Sequence, residues 1–436
     1  MTVASPAGTA SIRAFKVAAH NVVTPDHVHS AQPSDVAAGV PPEVVVEPGT
    51  EQELAQVLKI ANDSRIAVIP RGGGTKLTWG NPPSRLDAII STARLTRIIE
   101  HAWADLTVSV EAGCTVQKLQ EALALHNQRL ALDPLWPDRA TIGGVLSTND
   151  TGTLRLRFGG LRDLIIGATL ALPDGTLASS GGKVVKNVAG YDLPKLATGA
   201  FGTLGVITRA VFRLHPLPQN SLHLTILASD LHETQRIILA IQNSKLAHAA
   251  LQARVWAEAP PEVNILFEGT EAGIAAQRTD LTKLMGTAKM KECSPDVWKV
   301  RQELWPLSSG SAMQTGFPTS AIVKISILPS TVALTVQRIS QATNPQHFGW
   351  RAVLQATGIG WLRLDGQPDA VHEALQGLRT DLEAAGGSLV ALEHSEDLAP
   401  FDAWGQPGDA LPVMRALKQQ FDPRGTLNAG RFVGGI

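Results

Sequence analysis

The chain has 436 residues, more than one ordinary core accommodates, so two domains or one elaborated domain are expected. Its 44% hydrophobic and 18% charged content is that of a folded protein, and a net charge of −1 excludes a global field that would recruit nucleic acid or anionic membrane. Two cysteines, Cys114 and Cys293, are too few for a disulfide framework or a cysteine-rich metal centre within the chain, which fits a reducing, cytoplasmic compartment.

The first stretch, "MTVASPAGTASIRAFKVAAH", shows no apolar core of signal-peptide length. No apolar run long enough to cross a bilayer follows, so membrane contact is expected only through a partner. Residues 1–38, rich in Ala, Pro, Ser and Thr, read as a loosely structured lead. From Val44 the pattern becomes regular: a strand from Val44 to Val46, a Pro-Gly turn, a helix with Leu54, Val57, Leu58 and Ala61 on one face, and a strand from Ile66 to Ile69. This is a βαβ unit. Strands from Ala88 to Ser91 and from Thr107 to Val110, then a helix from about Thr115, continue the alternation. Between Asp133 and Leu214 glycine is dense and apolar strands interrupt it, as suits loops wrapped around a ligand. After "HPLPQ" at 215–219, repeated strand-plus-helix segments predict an antiparallel sheet with helices on one face. A short helix from Leu411 and a glycine-punctuated tail follow.

Three glycine-rich segments carry the chemistry. "PRGGGTK" at 70–76 follows a strand, and its three consecutive glycines remove every Cβ, so backbone N–H groups can approach an anion. "DPLWPDRATIGGVLSTNDTG" at 133–152 places Gly143 and Gly144 where backbone donors could face a pyrophosphate, with Ser147, Thr148 and Asn149 adding side-chain bonds. "VVKNVAGYDLPKLATGAFGTLGVIT" ends in a strand at Gly205 to Thr208. Neither a Walker loop nor a G-x-G-x-x-G that opens a helix is present, which disfavours ATP-type and NAD-type sites.

In their order and spacing these motifs, with "FGGLRDLIIGATLALPDGT" between them, resemble the FAD-binding domain of the vanillyl-alcohol oxidase and p-cresol methylhydroxylase (PCMH) family. The resemblance implies an α+β chain: the lead at 1–38, a two-subdomain PCMH-type FAD-binding domain at 39–218, a smaller antiparallel-sheet-plus-helices cap at 219–405, and a tail at 406–436 that returns to the FAD domain. It implies that Pro70, Arg71, Gly72, Gly73, Gly74, Thr75 and Lys76 form one half of a clamp on the FAD pyrophosphate, with Arg71 and Lys76 offsetting its charge. Asp133, Pro134, Ala140, Thr141, Ile142, Gly143, Gly144, Ser147, Thr148 and Asn149 would supply the other half. Gly205, Val206 and Ile207 would lie against the cofactor through their backbone, and Asn428 near it, although Ala429 stands where relatives carry proline. Many members tether the flavin through a histidine directly after the loop glycines. Thr75 holds that position here, so non-covalent FAD is expected, with Cys114 a small buried residue.

Within the family the likeness runs to 2-hydroxy-acid dehydrogenases and, more narrowly, to the FAD-binding subunit of bacterial glycolate oxidases. Relatives that oxidise a hydroxy acid alone carry a "GHxGDGNxH" segment whose histidines bind a divalent metal, followed by a Glu-His pair. The corresponding "QATGIGWLRLDG" at 355–366 holds no histidine, and Arg363 stands near the second ligand's place, so no metal is expected. Glu393 and His394 in "ALEHSEDL" are candidate remnants of the pair, and Arg363 and Arg301 are candidate anchors for a substrate carboxylate. The leading expectation is an FAD-dependent oxidoreductase subunit of a glycolate oxidase complex, beside a catalytic FAD subunit and an iron–sulfur subunit, and peripheral to the inner membrane only through them. The alternatives are a self-sufficient FAD-dependent 2-hydroxy-acid dehydrogenase and a structural flavoprotein subunit.

Overall fold

The computed structural model describes residues 9–182, 191–305, 317–342 and 348–436. The chain divides into two units, one of residues up to Gly152 with Gly159–Leu217 and Gln406–Ile436, the other of Thr153–Phe158 with Pro218–Gly405. Both the N-terminal lead and the C-terminal tail therefore belong to the first unit.

From Thr9 on, the lead is ordered. It forms helix α1 (Thr9–His20) and strand β1 (Val28–Ser30), and buries Ile12, Phe15, Ala19 and Val23. Their spacing of three and four residues is one face of a helix, a periodicity that the Ala/Ser-rich composition around it hides. β1 pairs antiparallel with β2 (Val44–Val46), which with β3 (Val68–Arg71) and β4 (Ala88–Ser91) completes a four-stranded sheet of order β1-β2-β4-β3. β2, β4 and β3 run parallel, and β2 and β4 are buried at every position, as the uninterrupted apolar runs "VVV" and "AII" require. Helix α2 (Glu51–Asp63) covers the sheet with Leu54, Val57, Leu58 and Ala61, all fully buried. β3 begins at Val68 and not at Ile66, because the Ile66 N–H closes the end of α2 on the Ala61 carbonyl at 2.8 Å and Ala67 N–H donates to Asp87 Oδ2 at 2.7 Å.

The side chain of Thr50 caps α2 by accepting from Glu53 N–H at 3.1 Å. Thr50→Ala is expected to lower stability by about 1 kcal/mol, read as a shift of the denaturant midpoint at unchanged slope.

The same unit holds an antiparallel sheet of β5 (Ile98–Ala102), β6 (Thr107–Glu111), β7 (Ile165–Ala171), β8 (Leu177–Gly181) and β9 (Val206–Arg213), in the order β5-β6-β9-β7-β8. Helices α3 (Val116–Ala124) and α4 (Ile142–Thr148) pack on it through Leu119, Leu123, Val145 and Leu146. The tail supplies helix α9 (Leu411–Phe421) and then runs alongside β3: Val68 N–H donates to Thr426 O at 2.7 Å and Asn428 N–H to Val68 O at 2.9 Å.

The second unit is an eight-stranded antiparallel sheet. Its strands are β10 (Asn220–Leu227), β11 (His248–Trp256), β12 (Glu262–Gly269), β13 (Met290–Glu292), β14 (Thr319–Ser326), β15 (Phe348–Gln355), β16 (Ile359–Gly366) and β17 (Ser388–His394). The order is β13-β10-β12-β11-β15-β16-β14-β17. Helices α5 (Leu231–Gln242), α6 (Glu271–Met285), α7 (Val332–Ala342) and α8 (Pro368–Ala384) bury Ile237, Ile241, Leu281, Val336, Ile339, Leu375 and Leu378 in one core with the strands. The opposite face carries a row of buried polar side chains, Thr225, Asn264, Gln252 and Gln355, at paired positions of four adjacent strands. Asn264 Nδ2 donates to Thr225 Oγ1 at 2.9 Å and Gln252 Nε2 to the Val297 carbonyl at 2.8 Å, so the row also fixes the 3₁₀ segment Pro295–Leu304.

Candidate functional site

β3 and β4 are parallel and end together, and the chain leaves β3 at Arg71 directly into Gly72, Gly73 and Gly74. The three glycines answer two different demands. A Cβ on Gly72 would strike Thr141 Oγ1, and one on Gly73 would lie on the Arg139 carbonyl oxygen, both far inside van der Waals contact. Gly74 adopts φ +71°, a left-handed conformation that glycine takes without strain. The loop is thus pressed against the Arg139–Thr141 segment of the second motif. Among the described residues no hydrogen bond engages the N–H groups of Gly72, Gly73, Gly74 or Thr75, and all four residues line one wall of a cleft of about 720 Å³ that opens to solvent.

The second motif sits differently from its expected role. Thr141 caps α4, its hydroxyl accepting from Gly144 N–H at 3.4 Å. The Gly143 N–H donates to the Ala112 carbonyl at 2.8 Å, and a Cβ there would come within 2.9 Å of Ala112 Cβ. That N–H is therefore unavailable to a pyrophosphate, and Gly143 is required because α4 packs closely on the Ala112 backbone. The Thr148 hydroxyl donates to the Gly144 carbonyl at 2.8 Å. Thr141, Gly143, Gly144, Ser147 and Thr148 line the cleft. Asp133, Pro134, Ala140, Ile142 and Asn149 do not. Ala140 and Ile142 are core residues, Pro134 is buried, Asp133 packs against Gly152, and Asn149 ends α4 at φ +49°.

Arg71 and Lys76 line the cleft, yet each already faces a buried carboxylate. Arg71 is paired with Asp35, and its Nη2 lies 4.0 Å from Glu47. Lys76 Nζ is 3.3 Å from Asp150 Oδ2 and lies over the Trp79 and Trp136 rings, 5.5 and 5.6 Å from their centroids. The expected charge offset by these two residues is largely cancelled in place, because their partners come from segments, around 35 and 150, distant in sequence.

Phe201, Gly202, Gly205, Val206 and Ile207 line the same cleft, and the tail adds Asn428 and Arg431. Asn428 is 4% exposed, its Nδ2 donating to Phe201 O at 2.7 Å. The tail is held by Lys418, whose Nζ donates to the Thr203 carbonyl at 2.9 Å and the Leu427 carbonyl at 2.8 Å and meets Asp422 at 2.6 Å. Part of the third motif, residues 183–190, lies outside the described residues. Leu77, Thr92, Phe201, Gly202 and Arg431 also line the cleft and were missed from sequence. Thr92 could have been found: it follows β4, and ligands gather at the C-terminal ends of parallel strands. Cys114 is fully buried in the core under β6 and β9, and burial raises its thiol pKa.

The candidate residues of the second unit do not form a site. Arg363 is tied to Asp365, its Nε 2.9 Å from both carboxylate oxygens and its Nη2 2.7 Å from one, while Nη1 donates to the Leu304 carbonyl at 2.9 Å. Its guanidinium is already paired with a carboxylate, so a substrate carboxylate could bind Arg363 only by displacing Asp365. Glu393 and His394 follow one another in a strand, so their side chains point to opposite faces of the sheet. His394 pairs across to Ala321 of the helix-covered face, and Glu393 to Ile322 of the Arg363 face. They do not converge on one ligand. Among the described residues no group of His, Cys, Asp and Glu is arranged to hold a metal. Arg301 is 5% exposed and lies 4.4 Å from the centroid of the Trp361 ring. No described helix is long and apolar enough to cross a membrane.

Comparison with known proteins places this geometry. Residues 42–181 match the model of an FAD binding domain family. The chain is 33% identical to a D-lactate dehydrogenase of Archaeoglobus fulgidus, over 89% of this chain and 91% of that one. It is 26% identical to the glycolate oxidase subunit GlcD of Bacillus subtilis, over 90% of this chain and 89% of the other. Among solved structures it superposes on p-cresol methylhydroxylase with a TM-score of 0.73, at 15% identity, over 98% of each chain.

Proposed function

The chain belongs to the PCMH-type FAD-binding family of FAD-linked oxidoreductases, and we propose that within it the chain is itself a dehydrogenase of short 2-hydroxy acids, glycolate or D-lactate. One observation carries the reading: the likeness to a D-lactate dehydrogenase runs through both units, covering 91% of that relative, and not through the flavin domain alone. The cofactor is FAD, held without a covalent tether: Thr75 stands beside the glycines where a tethering histidine would be, and Cys114 is sealed in the core.

The residues fit the cofactor. Glycines at 72 and 73 let two loops meet where any side chain would force them apart, and the N–H groups of the first loop line the cleft they form. Gly205, Val206 and Ile207 line the same cleft, and so does Asn428 from the tail. When bound, FAD supplies the acceptor for the hydride equivalent that leaves the α-carbon of the acid. The chain's part is to hold the cofactor in one pose, so that reaction within the complex replaces a bimolecular encounter.

A second reading is favoured by a specific departure. β16 carries Arg363 bound to Asp365 where self-sufficient relatives are expected to carry metal-ligating histidines, and one relative is named as a subunit. In that reading the chain is the flavin-carrying member of a complex, beside a catalytic flavoprotein and an iron–sulfur protein. An anaerobic absorption titration of the flavin-loaded chain separates the two. Bleaching of the oxidised-flavin band by glycolate or D-lactate is the expected result. A band that stays oxidised at saturating acid overturns the first reading in favour of the second.

A further inference from the structure

We propose that Lys418 is a positioning residue of the flavin cleft: it holds Phe201 and Asn428, both in left-handed backbone conformations, where they meet the cofactor. The inference rests on the FAD reading above. Phe201 has φ +57° and Asn428 φ +48°, and both line the cleft. Asparagine tolerates this region, whereas a bulky phenylalanine there is an outlier that persists only where the surroundings fix its backbone. Strain of this kind gathers at ligand sites. Lys418 does not itself line the cleft, so it reaches a cofactor only through other residues.

The hydrogen bonds around the two residues form a chain that starts at Lys418. Its Nζ donates to the Leu427 carbonyl at 2.8 Å, and across the same peptide the Asn428 N–H donates to the Val68 carbonyl at 2.9 Å. The peptide plane before Asn428 is therefore held at both edges, which fixes the Asn428 φ. Asn428 Nδ2 in turn donates to the Phe201 carbonyl at 2.7 Å, while the Phe201 N–H donates to the Ser147 carbonyl at 2.9 Å. The planes on either side of Phe201 are thus held as well. A second Lys418 bond, 2.9 Å to the Thr203 carbonyl, fastens the same loop two residues further on. The third meets Asp422 Oδ2 at 2.6 Å. Asp422 is 2% exposed and also accepts from the N–H groups of Thr426 and Leu427, at 2.9 and 2.8 Å. One ammonium therefore joins the tail, the Phe201 loop and the carboxylate that shapes the tail's turn.

The test is a double-variant cycle on the full chain: Lys418→Met, Phe201→Gly and both together, with FAD titrated into each apo chain by flavin fluorescence. Glycine takes the left-handed conformation unaided, so a residue whose task is to hold position 201 there has less to do once glycine replaces Phe201. The expected result is FAD affinity about tenfold weaker in Lys418→Met than in the parent, and less than about threefold weaker in the double variant than in Phe201→Gly. Equal losses in the two backgrounds would show that Lys418 only supports the fold and overturn the proposal, as would a Lys418→Met chain that binds FAD like wild type. Should Lys418→Met not fold, Asp422→Asn, which withdraws the ammonium's counter-charge, takes its place in the cycle. Should Phe201→Gly bind FAD too weakly to titrate, Asn428→Gly, at the other left-handed position, takes its place with the same readings. A wild-type chain that binds no FAD would instead remove the flavin reading itself, and this inference with it.

Discussion

A Gly73→Val chain is expected to purify folded and without flavin. The added Cβ falls on the Arg139 carbonyl oxygen, a backbone atom that no rotamer change can move aside. Ordinary contact needs about 3.5 Å, so the two loops must separate by more than an ångström, and the cleft they build opens with them. Overpacking of this kind costs about 1–3 kcal/mol, which in cofactor affinity is roughly a tenfold to hundredfold loss. The loop lies at the end of β3, outside the cores of both sheets, so the melting transition of the apo chain should move little. The check is the flavin-to-protein absorbance ratio of Gly73→Val beside Gly377→Ala, a helical position whose new Cβ meets nothing within 4 Å. Full flavin occupancy in Gly73→Val would show that contact between the two loops is not what makes the site.

That prediction also shows which parts of the site were legible. The glycine run could be read from sequence because its demand is local: consecutive residues without Cβ after an apolar strand. Its reason could not. The glycines admit the Arg139–Thr141 segment, and which backbone approaches a glycine is decided by tertiary structure. Gly143 is the same case, since nothing in "ATIGGV" reveals that its N–H closes on Ala112. Local periodicity revealed β2, β4 and α2, because continuous burial leaves an unbroken apolar run. It would have revealed α1 as well, had Ile12, Phe15 and Ala19 been weighed above the composition around them. The disagreement of Glu393 with His394 was also readable, as adjacent residues in a strand face apart. Arg431 and the partners of Arg71 and Lys76 were not, because each joins segments far apart in the chain.

Asp365→Ala is expected to destabilise the protein by about 3–5 kcal/mol, since it leaves the Arg363 guanidinium buried without its carboxylate. Both side chains are 5% exposed, so water cannot take the partner's place. Replacing both, as Arg363→Met with Asp365→Leu, should recover most of the loss, because well-packed apolar groups stand in for a buried ion pair at little cost. The same double variant decides what Arg363 does. If its charge belongs to the pair, as the bonds to both oxygens of Asp365 indicate, the double variant binds a 2-hydroxy acid with a KM near that of the parent. If Arg363 exchanges Asp365 for the substrate carboxylate during turnover, the double variant recovers stability and loses binding by about tenfold or more, the loss expected when a charge-assisted pair disappears. Denaturant unfolding and KM measured on the same preparations therefore separate a structural ion pair from a substrate anchor, two roles that one arginine in one strand can present with identical resting geometry.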